Sequence, residues 1–127
     1  MTNEELVKKF YIAFKENNIK ECLEICDDEI EWITAEGMPE GGMIKGVKQV
    51  FENYFPKMLS NFQEFHAIPE QITALQDHIM VNGKYQGISK IGKKFNVEFS
   101  HIYLIKNNKI IQFRQFTDTK IIQESLK

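Results

Sequence analysis

Proton transfer near neutral pH falls most naturally to histidine, whose unperturbed pKa lies near ~6.5. The chain has three, His66, His78 and His101, and only His101 sits deep within an alternating apolar run, "KFNVEFSHIYLI". Its best partners lie in "FRQFTDT", Phe113–Thr119, where aromatic residues alternate with Arg114, Gln115 and Asp118. Gln115 can donate and accept hydrogen bonds but cannot titrate, so it can orient a carbonyl or a water without acting as an acid. His101 is therefore open to two readings: a proton carrier, or a core histidine hydrogen-bonded to Gln115 or Tyr85. His66 and His78 fall near strand starts and read as surface residues. Three scattered histidines without matched carboxylates make no metal site, and no cofactor motif is present. Cys22 and Cys26 are four apart rather than C-x-x-C, and read as small buried apolar side chains. Glu36 and Glu40, in a Gly-bearing loop, read as solvated.

The elements that must position these groups follow from periodicity. Leu6, Val7, Phe10, Tyr11 and Phe14 recur at helical spacing behind Thr2 or Asn3 as N-cap, and "ENN" at 16–18 ends that helix. A second stripe, Ile19, Cys22, Leu23 and Cys26, is closed by "DDE". "IEWI" at 30–33 reads as a short strand and 35–46 as an irregular loop. Val47, Val50, Phe51, Tyr54, Phe55, Met58 and Leu59 form a third helical stripe that Pro56 must kink or end. From about residue 63 the period becomes two. Strands are expected at 64–75, 78–89, 94–105 and 109–119, joined by hairpin-length connections. Helices followed by an antiparallel meander is an α+β pattern. A strongly curved sheet wrapped over the helices would leave an open-mouthed cone, which is a natural pocket.

The hairpin "KNNK" sets which side chains face inward. With Asn108 left-handed it makes a three-residue loop with a bulge, pairing Ile105 with Ile111, Tyr103 with Phe113, His101 with Gln115 and Phe99 with Thr117. That register gathers Phe99, Tyr103 and Phe113 on one face. A two-residue loop would instead set His101 opposite Arg114. In the bulged register Gln112, Arg114 and Asp118 face outward, with Arg114 and Asp118 on the convex face or rim as a candidate ion pair at a subunit contact. Ile102, Leu104 and Phe116 share that outer face and are too apolar to stay wet, so a homodimer through the convex sheet face is expected.

At 127 residues the chain reads as one domain, 1–127, with ordinary globular composition: 43% hydrophobic and 27% charged. A formal charge of −2 argues against nucleic acid as a partner. No run reaches the length of a membrane span, and the start "MTNEEL" is polar and acidic, unlike a signal peptide, so a cytoplasmic protein is expected.

"VKKFYIAFKENNIKECLEICDDEIEW", "GMIKGVKQVFENYF" and "GKYQGISKIGKKFNVEFSHIYLIKNNKIIQFRQFTDT" together resemble the SnoaL-like and ketosteroid-isomerase-like proteins of the nuclear-transport-factor-2-like superfamily, from Leu6 to Thr119. The resemblance implies a bacterial-type, cystatin-like α+β cone: three N-terminal helices packed in a strongly curved antiparallel sheet with an internal cavity. It also places His101 and Gln115 in that cavity and Trp32 at its mouth. The steroid-isomerase base would fall on Thr34, its oxyanion-hole Tyr on Phe10 and its Asp on His101. None of the three groups is retained, so a classical ketosteroid isomerase is not expected. The acid that SnoaL-like cyclases and related epoxide hydrolases carry on the last strand would fall on Gln115.

Three functions follow. The first is a metal-free SnoaL-like isomerase, cyclase or hydrolase acting on a small, largely apolar, carbonyl- or hydroxyl-bearing molecule through His101 and Gln115. The second is a non-catalytic binder of such a molecule, and the third a dimeric scaffold. For the first two, Trp32, Phe51, Tyr54, Phe55, Met58, Tyr85, Phe99 and Phe113 are expected to line one cavity with His101 and Gln115. His101 is expected to be neutral at pH 7 and hydrogen-bonded directly to Gln115.

Overall fold

The computed structural model describes residues 1–127. Helix α1 (Asn3–Lys15) starts where the Thr2 side chain accepts from the Glu5 backbone N–H, and buries Leu6, Val7, Phe10, Tyr11 and Ala13 along one face. Asn17 turns the chain in the left-handed region at φ 56°, and Asn18 caps α2 (Ile19–Ile25). Strand β1 (Cys26–Thr34) follows without a loop, so the acidic "DDE" opens a strand rather than closing a helix. The expected four-residue strand is thus the inner half of a nine-residue one. The loop after it contains a further short strand, β2 (Gly42–Lys45), antiparallel to β1.

The third helical stripe is split. Gln49–Tyr54 forms a π-helical turn, and α3 (Phe55–Leu59) continues it with Pro56 in its first turn. Proline has no N–H to donate, and the wider turn, with the Phe55 N–H reaching the Val50 carbonyl, carries the chain past it. Val50, Phe51, Tyr54, Phe55 and Met58 all end up buried.

The meander is β3 (Phe62–Leu75), β4 (His78–Ser89), β5 (Lys94–Lys106) and β6 (Lys109–Thr117). The six-stranded sheet runs β2-β1-β6-β5-β4-β3, antiparallel except for β1 beside β6. Its curvature has local causes. β3 is interrupted at Phe62/Glu64 and at Pro69/Gln71, and Pro69 is tolerated because β3 is an edge strand. Opposite it, Gly83 lies on the inner face of β4. A Cβ there would run into the Ile68 carbonyl and stand 2.7 Å from Phe99 Cζ, so the missing side chain is what lets the Phe99 ring cross the strand.

At the β5–β6 hairpin, Phe99↔Thr117, His101↔Gln115 and Tyr103↔Phe113 pair as expected, but for a different reason. Asn107 and Asn108 are both left-handed, φ 50° and 61°, a two-residue turn of the primed kind. Ile105 then pairs with Ile110, not Ile111, and the register slips between Leu104 and Ile105. The bulge that sets the facing therefore lies in the strand, not in the loop. β6 ends at Thr117, two residues early, because Asp118 turns to accept the Lys120 N–H and caps an unforeseen helix, α4 (Thr119–Ser125). Asp118 is thus a helix cap and forms no ion pair with Arg114.

Candidate ligand-binding site

Inside the cone lies a small chamber of about 40 Å³, room for one or two waters. Seven elements line it: Phe10, Tyr11 and Phe14 come from α1, Trp32 and Thr34 from β1, and Tyr54, Phe55 and Met58 from the broken helix and its π-helical turn. Phe65 and Ala67 (β3), Tyr85 (β4), His101 and Tyr103 (β5), and Phe113 and Gln115 (β6) complete it. Trp32 lies flat on Phe113, ring centroids 3.9 Å apart at 17°. No Asp, Glu, Lys or Arg lines the chamber.

One wall is polar. His101 and Gln115 face each other across β5 and β6, as the register requires, yet they do not touch through a hydrogen bond. The Tyr85 hydroxyl stands between them, 2.5 Å from His101 Nε2 and receiving a 2.8 Å bond from Gln115 Nε2. The other imidazole nitrogen, Nδ1, is 2.6 Å from the Tyr11 hydroxyl. Gln115 Oε1 accepts from the Ala35 N–H at 3.1 Å, which fixes the amide with its nitrogen toward Tyr85. If every member donates once, the order is Ala35 N–H to Gln115, Gln115 to Tyr85, Tyr85 to His101 Nε2, and His101 Nδ1–H to Tyr11. The expected direct His101–Gln115 bond is thereby corrected: the amide nitrogen is directed at Tyr85 and the amide oxygen at the Ala35 N–H.

Burial decides the charge state of this chain of groups. Desolvation holds the His101 imidazolium well below its ordinary pKa. It pushes Tyr11, Tyr85 and Tyr103 upward, outweighing the lowering effects of Tyr103 on Tyr11 and of Gln115 on Tyr85. Tyr54 is raised to about 12, again chiefly by burial. At neutral pH the wall is a run of dipoles without a net charge. It can orient a ligand hydroxyl or carbonyl.

Of the residues singled out in the sequence, Trp32, Tyr54, Phe55, Met58, Tyr85, His101, Phe113 and Gln115 share the chamber. Phe99 does not line it: its ring stacks on His101 at 3.8 Å and 11°, and backs the imidazole instead. Phe51 faces an outer cleft of about 690 Å³. Neither Glu36 nor Glu40 lines the chamber, and Thr34 uses its hydroxyl on both backbone groups of Gly42. Tyr11 was the group missed. It reads in the sequence only as part of the α1 helical stripe, although a buried Tyr hydroxyl signals a polar partner. Chamber and outer cleft share Phe14, Phe55, Phe65 and Ala67, which form the neck between them. Cys22 and Cys26 are buried away from both as free thiols, with Cys22 pushed up to about 11 mainly by burial. No group of three or more His, Cys, Asp or Glu is placed to hold a metal ion, and no helix is long and apolar enough to cross a membrane.

A curved α+β cone closed by N-terminal helices is the nuclear-transport-factor-2-like fold. Within that class the chain belongs to the SnoaL-like domain family, whose pattern matches residues 7–113. A nuclear-transport-factor-2-like protein from Burkholderia thailandensis superposes with a TM-score of 0.94 at 22% identity, covering 100% of this chain and 98% of that one. TerC co-crystallised with polyporic acid gives 0.89 at 20% identity, covering 96% and 95%. A SnoaL-like polyketide cyclase, so described, from Jannaschia sp. gives 0.81 at 14%, covering 99% and 95%. No curated protein matches the sequence significantly.

Proposed function

We propose that this protein binds a small, largely apolar molecule inside the cone and orients it through one hydroxyl or carbonyl oxygen. The observation that carries this reading is the uncharged wall of Tyr11, His101, Tyr85 and Gln115 set in an otherwise aromatic chamber. An apolar lining with a few convergent polar groups is how small-molecule sites are generally built. TerC, of the same fold, was crystallised with polyporic acid, which supports a small-molecule role. The chamber as it stands is too small for such a molecule, so a ligand enters from the outer cleft and parts the aromatic neck.

Native mass spectrometry of the purified protein tests this. A bound small molecule that is lost in Tyr85→Phe or His101→Ala supports the reading. A ligand-free protein that picks up nothing from a panel of aromatic ketones and phenols counts against it and favours the scaffold.

A second reading, SnoaL-like proton-transfer catalysis through His101, is favoured by the unbroken donor order from Gln115 through Tyr85 to the imidazole. Neutral His101 accepts a proton more readily than it gives one. Turnover of the bound molecule, abolished in His101→Ala while binding persists, separates catalyst from binder. A homodimer through the outer sheet face and a reducing, cytoplasmic setting for the free thiols complete the proposal.

A further inference from the structure

Charge is distributed unevenly around the pocket. The chain carries 18 Asp and Glu against 16 Lys and Arg, yet no carboxylate lines either the chamber or the outer cleft. The cleft walls are apolar: Ile19, Phe51, Pro56, Leu59, Ile68 and Pro69 among them. Two basic residues stand at its edge, Lys15 and His66. His66 is already engaged by Glu64 at 3.2 Å. Lys15, in the last turn of α1, is exposed and forms none of the six ion pairs in the molecule, whereas its neighbours Lys8 and Lys9 pair with Glu4 and Glu21. One end of the pocket is thus small and uncharged. The other opens beside a free ammonium.

We infer that the ligand is an elongated apolar weak acid, lying with its neutral oxygen-bearing end toward Tyr85 and His101 and its anionic group at the cleft edge beside Lys15. This inference rests on the small-molecule reading above and adds the polarity and the direction of entry. A cation is disfavoured at the edge by Lys15. An anion is disfavoured in the chamber, where no charge compensates its lost hydration. A neutral apolar molecule is accepted by both ends but gains nothing from Lys15. The cleft, at about 690 Å³, lies within the ordinary size range of small-ligand sites.

Two fluorescent probes with the same aromatic frame test it: 1-anilinonaphthalene-8-sulfonate, an apolar anion, and uncharged N-phenyl-1-naphthylamine. Both are expected to bind the folded wild type, and Ala67→Trp, which fills the neck, weakens both; Ala67→Met serves if the larger ring prevents folding. Lys15→Glu should weaken the anion about tenfold and leave the neutral probe within about twofold, the exposed pair being worth a few-fold and the reversed charge the rest. Ile19→Glu, which adds a carboxylate in the first turn of α2, should act in the same direction. About 0.5 M salt should erase most of the wild-type preference, since exposed charges are screened. An anion-to-neutral affinity ratio unmoved by Lys15→Glu and Ile19→Glu, with both probes still blocked at Ala67, overturns this inference and leaves the small-molecule reading standing. Neither probe binding, or both indifferent to Ala67, sinks the two together.

Discussion

The inner and outer faces of β5 and β6 are built from the same two strands, alternate residue by alternate residue, and they treat polarity in opposite ways. The inner face carries Phe99, His101, Tyr103, Phe113 and Gln115, all buried, and its two polar residues are held by Tyr85, Tyr11 and the Ala35 backbone. The outer face carries Ile102, Leu104, Arg114 and Phe116, half-buried or exposed, with Phe116 at 50%. Inside, polar groups are costly, and His101 and Gln115 are both paired. Outside, Ile102 and Leu104 are only half covered and Phe116 is exposed. The inner face thus satisfies His101 and Gln115 within one chain, whereas the outer face leaves Phe116 half exposed.

Breaking the inner face where it is tightly packed beside His101 should have the largest effect. Gly83→Ala drives a methyl into the Ile68 carbonyl and the Phe99 ring that backs His101. Overpacking a rigid strand crossing costs about 1–3 kcal/mol, and backbone is one of the two obstacles here, so we expect about 3 kcal/mol in urea unfolding. A change under about 0.5 kcal/mol would mean the sheet yields there and the curvature has another cause. Tyr85→Phe is next. It strands Gln115 Nε2 and His101 Nε2 together in a dry wall, and leaving buried polar groups unpaired costs about 1–3 kcal/mol. Equal stability of Tyr85→Phe and wild type would show that water or a rotamer change rescues the wall.

How much of this was legible beforehand divides along physical lines. The α+β order and the four meander strands follow from period-two alternation, a property of local sequence, whereas the pairing of His101 with Gln115, expected from a bulged loop, is in fact set by a register slip between Leu104 and Ile105 behind a two-residue turn. β2 is four residues of half-exposed chain with no periodicity to find. α4 was hidden because Asp118 read as a strand residue, although Asp before "TKIIQES" is a serviceable N-cap signal. The opening of β1 was hidden by three consecutive acids, two of them exposed and none following an apolar alternation. At the site, which residues meet was largely readable; who hydrogen-bonds whom was not. Tyr85 comes between His101 and Gln115 because of side-chain reach across three strands, and no spacing rule encodes that.

The charge state of the inner face gives a smaller, pH-dependent effect. The folded-state pKa of His101 is depressed, so below ~6.5 the unfolded chain binds a proton that the folded chain refuses. Its contribution to stability is therefore full above ~6.5 and falls as pH drops below it, by at most about 1.4 kcal/mol per pH unit. Between pH 7 and 9 it should be flat. His101→Gln is expected to be less stable at pH 7 but to lose less between pH 7 and 5.5 than wild type does, as read from urea midpoints at the two pH values. Parallel losses in the two proteins would mean that His101 is protonated in the folded state.

The outer face should give the smallest change in folding and the clearest change in assembly. Phe116 has no aromatic neighbour in this chain and lies half open on the side of the sheet that the helices leave uncovered. Replacing it with Glu removes little packing, and surface substitutions away from special features stay within about ±0.5 kcal/mol. In an outer-face homodimer the same residue is drawn from water, and two-fold symmetry places a second copy of each substitution in one interface. Burying a pair of unmatched carboxylates there is costly, so Phe116→Glu should sediment as a monomer at micromolar concentration where wild type sediments as a dimer. Leu75→Glu, on the edge strand and equally exposed at 52%, serves as the control and should leave the assembly unchanged. A wild type that is already monomeric removes the outer-face dimer outright, whereas a dimer untouched by Phe116→Glu moves the contact elsewhere.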